Sequence, residues 1–326
     1  MLRLPEFELL SPSSVDDALA LLAEHGSDAM IIAGGTDLLP NLKHQLFSPK
    51  VLVSLSAIDE LKTMRNEGET WWLGAGCSLH DLAENAELQM VFPALTEALG
   101  AIAGPHHRVM ATLGGNLCLD TRCVYYNQTQ FWREALGFCL KKDGDTCHVA
   151  GGRKCVAAAS NDSAPPLIVY GAKVETLGPN GRRSLPMDQF YVPDGIKNTC
   201  LEAGELVLGL RVPTPNSSVR AAFHKLRRRD AIDFPLLNMA VLLECDDKRV
   251  VQRLSIAVSA LAARPNIVRG LDKFLGETWD DELEAKVIKR AQKGSIPLTN
   301  LATDPAWRRA LVPVFVKRLL NACAPD

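Results

Sequence analysis

Apolar residues along the chain change their spacing from segment to segment. Val15, Ala18, Leu19, Leu22 and Ala23 recur at helical intervals, which predicts an amphipathic helix. Ser14 stands before it with Asp17 three residues on, a weak capping box. Gly26 follows, where a residue able to turn left-handed ends a helix. The unbroken apolar run Ala29-Met30-Ile31-Ile32-Ala33 predicts a short buried strand. Gly34-Gly35-Thr36-Asp37 then turns into a helix predicted from Leu38 to Gln45. Pro49 breaks that helix, and Val51–Leu55 predicts the next strand. This first segment reads as βαβ.

A second unit begins near Leu61. Its pattern predicts a strand at Trp71–Leu73, a short helix after Ser78 and an Ala/Leu-rich helix around Pro93–Ala103. Another glycine turn follows, Thr112-Leu113-Gly114-Gly115-Asn116. Between Cys118 and Cys155 aromatics, lysine, glycine and cysteine replace the aliphatics. Apolar order resumes at Pro166–Tyr170, expected to pair through Gly171 with Lys173–Leu177, and Asn180-Gly181 marks a turn. A third unit starts near Ser217. Ala240–Cys245 and Val250–Ser259 flank a polar triplet and predict a hairpin; helices are expected over Asp280–Lys293 and Trp307–Ala322. The fold class is α+β in three pieces: 1–57, 58–216 with an insertion at about 118–158, and 217–326. The first two pieces are expected to share a cleft.

Composition narrows the possibilities. The 326 residues are 47% hydrophobic and carry a net charge of −2, so no global field attracts nucleic acid or an anionic membrane. The one basic run, His224-Lys225-Leu226-Arg227-Arg228-Arg229, is short and reads as a solvated face or a small-anion site. No apolar stretch reaches the roughly 20 residues of a membrane span, and the first residues lack a signal-peptide core. The expected location is the cytoplasm. Thiols stay reduced there, so clustered cysteines point to metal or redox chemistry before disulfides.

Two features carry candidate chemistry. The first is the pair of glycine turns. A pyrophosphate needs backbone N–H donors at close range, and glycine lets the backbone approach. Ile31-Ile32-Ala33-Gly34-Gly35-Thr36-Asp37-Leu38 has that form, without the three-glycine spacing of the Rossmann fingerprint; so has Thr112-Leu113-Gly114-Gly115-Asn116. Asp37 would repel phosphate and is expected to cap its helix. The second feature is Cys118-x4-Cys123-x15-Cys139-x7-Cys147-x7-Cys155. Four thiolates hold a zinc ion or an iron–sulfur cluster, and the spacing lacks the tight pairs of a zinc ribbon. Cluster, zinc and unligated thiols stay open, with five cysteines for four positions. His148 reads as a surface residue.

Taken in order, these pieces resemble the FAD-binding subunit of the xanthine dehydrogenase/carbon monoxide dehydrogenase family. The likeness runs through Gly74-Ala75-Gly76, His80-Asp81-Leu82, Asn161-Asp162-Ser163-Ala164-Pro165, Glu205-Leu206-Val207 and Phe223-His224-Lys225. It implies a two-part FAD-binding domain, of the CO dehydrogenase flavoprotein/vanillyl-alcohol oxidase type, and a C-terminal α+β domain. FAD contacts fall on the two turns, on Ile102 and Val207, on Asp162 near the cofactor's hydroxyls, and on Lys225 by the flavin ring. The interval Asn116–Asp162 is longer than in most members, and Thr121-Arg122-Cys123-Val124-Tyr125-Tyr126 resembles the start of an insertion that carries a [4Fe–4S] cluster in a subgroup. By that resemblance the ligands are Cys123, Cys139, Cys147 and Cys155, with Cys118 spare. The implied role is electron relay, without a catalytic residue of its own. The implied assembly is a dimer of heterotrimers with a molybdenum-cofactor subunit and a [2Fe–2S] subunit, with ferredoxin as donor. Two other readings are the flavin subunit of an aldehyde or xanthine oxidoreductase, and a zinc-stapled scaffold without flavin.

Overall fold

The apolar runs near the N-terminus pair as parallel strands. The computed structural model of the chain describes residues 2–325. In it Glu8–Leu10 and Ala29–Ile32 flank Val51–Ser54 in a three-stranded parallel sheet. The helix Val15–His25 crosses over and packs Val15, Ala18 and Leu22 against Val51 and Val53. Ser14 caps it: the hydroxyl accepts from the Asp17 amide at 3.1 Å and donates to the Asp17 carboxylate at 2.7 Å.

A five-stranded antiparallel sheet follows, in the spatial order Met64–Asn66, Thr70–Gly74, Leu206–Pro213, Lys173–Gly178, Gly181–Pro186. Side chains alternate across it, as the strand period of two requires. Trp72, Leu206 and Leu208 meet the N-terminal unit. Trp71, Leu73, Leu210 and Val212 enter the largest core with the helices Leu79–Glu84, Pro93–Gly100 and Ala164–Tyr170.

One expected element is corrected. The run ending at Tyr170 is not a strand paired with Lys173–Leu177 but the helix Ala164–Tyr170, every residue of which is buried. A continuous apolar run fits a buried strand or a buried helix equally. What decides is punctuation: Pro165 sits in the first turn, and Gly171 ends the helix at φ 77°. The true partner of Lys173–Gly178 is Gly181–Pro186, across the Asn180-Gly181 turn.

In the C-terminal part Val219–Leu226, Leu237–Cys245, Val251–Ser259 and Asn266–Ile267 form an antiparallel sheet. The helices Asp281–Lys293 and Pro305–Cys323 cover one face. Phe223, Ala240, Leu242 and Ala257 on the other face join the core of the five-stranded unit. No helix among the described residues is long and apolar enough to cross a membrane.

The cysteine-rich insertion is mostly turns around one short helix, Gln130–Ala135. Its neck is closed by a pair of backbone bonds, Arg122 N–H to Ala158 O at 2.8 Å and Ala158 N–H to Arg122 O at 2.7 Å. Asn300 ties both arms of the insertion to the C-terminal part. Its carbonyl accepts from Val124 N–H at 3.0 Å, and its side-chain amide donates to Val156 O at 2.7 Å.

Candidate functional site: a dinucleotide cleft beside a cysteine cavity

A cleft of about 1210 Å³ opens between the N-terminal sheet, the 75–82 segment and the second glycine turn. It is lined by Ile31, Ile32, Ala33, Gly34, Gly35, Thr36, Asp37 and Leu38 from the first turn and by Thr112, Gly114, Gly115 and Asn116 from the second. Ile102, Asp162 and Val207 also line it. Leu113 is fully buried in the core instead, and Lys225 lies behind Asp162 rather than on the wall.

The glycines divide into two kinds. A Cβ on Gly34 would stand 1.8 Å from the Met110 carbonyl oxygen, and one on Gly114 would stand 2.8 Å from the Ala75 Cβ. These two therefore pin protein segments together, setting the first turn directly against the lead-in to the second. Gly35 has φ +68°, which favours glycine. A Cβ on Gly115 would meet only Thr112 Oγ1, at 3.0 Å, and is otherwise open. Gly115 thus keeps the cleft surface low. Thr112 Oγ1 already accepts from the Gly115 N–H at 3.1 Å, as the cap of the short helix Leu113–Leu117. Asn116 faces both ways: its Oδ1 accepts from the Ser163 hydroxyl at 2.6 Å, tying the turn to the residues around Asp162.

Asp162 is held through both carboxylate oxygens. Lys225 Nζ donates to one carboxylate oxygen at 2.8 Å, and Asn238 Nδ2 donates to the other at 2.8 Å. Lys225 and Asn238 are direct cross-strand partners in the C-terminal sheet, so that sheet grips the carboxylate with both hands. Lys225 also donates to Ala101 O at 3.0 Å, as does Arg227. Burial pushes the Asp162 carboxyl above its ordinary range, while Lys225, Asn238 and Arg227 oppose the shift. The basic run is split: His224 stacks on Phe315 at 4.2 Å and Lys225 is buried, while Arg228 and Arg229 are exposed, Arg229 pairing with Asp233 at the surface.

Asp37 occupies the N-cap position of the helix Leu38–Lys43 but makes no side-chain bond to the helix backbone. This corrects the expected capping role. Asp37 Oδ2 accepts from Asn41 at 3.0 Å, and Oδ1 is ion-paired with Arg122 Nη2. The Arg122 guanidinium also lies 4.3 Å from the Phe234 ring centroid. Burial lowers the Arg122 pKa to about 10.

A second, much smaller cavity lies beyond this wall. Cys123, Cys139, Cys147 and Cys155 all line it, with Tyr125, Tyr126, Lys141 and His148. Cys118 lines the large cleft instead. Burial pushes the Cys123 thiol up to about 11, with smaller upward contributions from Cys139, Cys155 and Cys147. Glycine permits close wrapping here too: a Cβ on Gly195 would stand 2.7 Å from Cys155 Sγ, and one on Gly144 would stand 2.8 Å from the Cys139 amide nitrogen. Among the described residues, no three His, Cys, Asp or Glu side chains converge at the spacing of a single-ion site. The donor set sharing the cavity is four thiols, and soft thiolates suit iron–sulfur or zinc chemistry. His148 is exposed and hydrogen-bonds the Phe138 carbonyl.

The two sites are separated by one extended segment. Asp120 and Arg122 line the cleft; Cys123 faces the cysteine cavity. Lys141 crosses the wall, donating to Asp120 at 2.6 Å while lining the cysteine side. Burial lowers the Lys141 pKa, and Asp120 opposes that shift. Sequence reasoning passed over Asp120, Arg122, Ile232 and Phe234 as cleft residues. The polar run Asp120-Thr121-Arg122 between Leu119 and Cys123 was the available signal for the first two.

The cleft fits FAD by size, by two close-packed glycine turns and by the open surface at Gly115. Comparison with known proteins agrees. Residues 5–215 match the family model of the FAD binding domain in molybdopterin dehydrogenase, and residues 221–323 match that of the CO dehydrogenase flavoprotein C-terminal domain. The carbon monoxide dehydrogenase medium chain of Hydrogenophaga pseudoflava is 30% identical over 321 residues, covering 98% of this chain and 97% of the relative. The aldehyde oxidoreductase FAD-binding subunit of Escherichia coli (strain K12) is 29% identical over 268 residues, covering 79% and 82%. A solved carbon monoxide dehydrogenase from Hydrogenophaga pseudoflava superposes with a TM-score of 0.81 at 28% identity, over 98% of both chains. The chain therefore belongs to the xanthine dehydrogenase/carbon monoxide dehydrogenase family of molybdenum hydroxylases, as an FAD-binding oxidoreductase subunit.

Proposed function

We propose that this subunit relays electrons between FAD in the large cleft and a [4Fe–4S] cluster held by Cys123, Cys139, Cys147 and Cys155. The observation that carries the reading is that these four thiols line one cavity, a single extended segment away from the dinucleotide cleft. Bound FAD exchanges one or two electrons, which suits it to join a two-electron centre to one-electron carriers. The chain's own part is to hold the pyrophosphate between the two turns, to offer Asp162 to a cofactor hydroxyl and to keep water from the cysteine cavity.

The assembly we infer is a dimer of heterotrimers with a molybdenum-cofactor subunit and a [2Fe–2S] subunit, located in the cytoplasm. The insertion beginning Thr121-Arg122-Cys123-Val124-Tyr125-Tyr126 resembles that of the β subunit of 4-hydroxybenzoyl-CoA reductase. On that reading ferredoxin supplies two electrons. With two protons they convert 4-hydroxybenzoyl-CoA to benzoyl-CoA and water at the partner's molybdenum centre. A second reading, the flavin subunit of an aldehyde or xanthine oxidoreductase, draws on the similarity to relatives bearing those names.

The test is anaerobic purification of the native complex, with flavin and metal analysis, EPR of the reduced protein and identification of the accompanying chains. Four irons per chain beyond the [2Fe–2S] centres, with one FAD, support the proposal. One zinc per chain without that iron overturns it in favour of a stapled scaffold. Reduction of 4-hydroxybenzoyl-CoA, set against oxidation of aldehydes and xanthine, separates the two enzyme readings.

A further inference from the structure

We propose that Arg122, at the neck of the cysteine insertion, is the counter-charge that makes the first glycine turn able to accept a pyrophosphate. The inference rests on the reading that the dinucleotide's phosphates lie at the glycine turns. Asp37 closes the first turn and lines the cleft, so a bare carboxylate there would face a ligand of the same sign. Like charges at short range in a partly buried site repel strongly. Arg122 Nη2 is ion-paired with Asp37 Oδ1, and both residues line the cleft.

The guanidinium is fixed from several sides. The Phe234 ring lies 4.3 Å from it. The Arg122 backbone is clamped by the two bonds to Ala158 that close the insertion's neck. Arg122 is only 7% exposed while the Asp37 side chain is 31% exposed, so the guanidinium end of the pair is shielded from water and the carboxylate end faces the cleft. The neighbouring residue, Cys123, enters the cysteine cavity. The segment that delivers a thiol to one site therefore delivers the neutralising charge to the other. Arg122 is a positioning residue, acting on the dinucleotide through Asp37.

The experiment uses the full chain stripped of flavin and measures rebinding of FAD and of riboflavin, which has no phosphate, by flavin fluorescence. R122Q should weaken FAD binding by about 10- to 100-fold, because Asp37 is left unpaired beside the pyrophosphate. Riboflavin affinity should stay unchanged within about twofold, and R122K, which keeps the charge but not the planar group over Phe234, should lose less FAD affinity than R122Q. The double variant D37N/R122Q should recover FAD affinity to within about threefold of wild type, because the repelling charge is gone. Unchanged FAD affinity in R122Q overturns the proposal, as does an equal loss for riboflavin, which would mean a collapsed cleft. So does failure of D37N to restore binding. Wild-type chain that binds riboflavin as tightly as FAD would instead remove the underlying reading of where the phosphates lie.

Discussion

Replacing Lys225 with methionine removes the cation from a carboxylate that has almost no water. The side chains of Lys225 and Asp162 are 3% and 5% exposed, and among the described residues Asn238 is the only other side chain bonded to the Asp162 oxygens. Breaking a buried pair from one side costs about 3–5 kcal/mol, because the remaining charge stays desolvated. At roughly 2.1 cal/mol/K of unfolding entropy per residue, a chain of this length unfolds with about 0.7 kcal/mol/K, so the midpoint should fall by about 4–7 °C. The pH dependence gives the signature. Burial already raises the folded Asp162 pKa, and losing Lys225 raises it further. A carboxyl that binds its proton more tightly folded than unfolded loses stability as pH rises from its unfolded value, about 3.9, through its folded one. The deficit of K225M should therefore be largest at neutral and alkaline pH and should shrink on acidification, as the pH falls through the raised folded pKa and Asp162 takes up its proton. K225M/D162N should recover most of the loss, since no charge is then left buried. Thermal melts of the full chain at several pH values are the assay. An unchanged midpoint at neutral pH, or a deficit that does not shrink on acidification, would refute the argument.

Other outcomes follow from the same geometry. G115A should lower FAD occupancy with little change in melting temperature, while G34A should destabilise the chain itself, because its Cβ would strike the Met110 carbonyl; flavin content and thermal melts separate the two. Serine at Cys123, Cys139, Cys147 or Cys155 should each remove the iron-dependent EPR signal, whereas serine at Cys118, which lines the other cavity, should not. N300A breaks the 2.7 Å bond to Val156 O and should cost about 1–3 kcal/mol, seen as faster hydrogen exchange over residues 118–158 and lower iron retention. In the assembled complex, C139S should abolish fast flavin reduction by ferredoxin while exchange between FAD and the partner subunits continues, which stopped-flow spectroscopy of the flavin band would read.

Local patterns were legible because their causes are local. Ser14 and Asp17 announce a cap that forms through the Ser14 hydroxyl, with the Asp17 carboxylate accepting from that hydroxyl instead of from the Ser14 amide. The hairpin around Asp246-Asp247-Lys248 forms because alternating apolar residues need one face each. The helix ending at Tyr170 was missed because its periodicity is masked by burial on all sides. The site was legible in its glycines and cysteines but not in its charges. Asp37 finds its cation 85 residues away, and Asp162 is held by two residues that meet only when their strands pair. Neither partnership has a sequence interval that physics would single out, since each depends on where whole segments pack.

The partition between the two sites gives the insertion a second consequence. An extended backbone sends successive side chains to opposite sides, and here the sides are two chemically different cavities. Arg122 belongs to the dinucleotide wall and Cys123 to the thiol cavity. The Asp120–Lys141 bond spans the same wall from cleft to cysteine side. A segment with such neighbours cannot shift towards one cavity without withdrawing from the other. Closing the neck at Arg122 and Ala158 therefore fixes both sites at once. The insertion is not an appendage to a finished domain: its Arg122 is ion-paired with Asp37 of the first glycine turn at the wall of the large cleft.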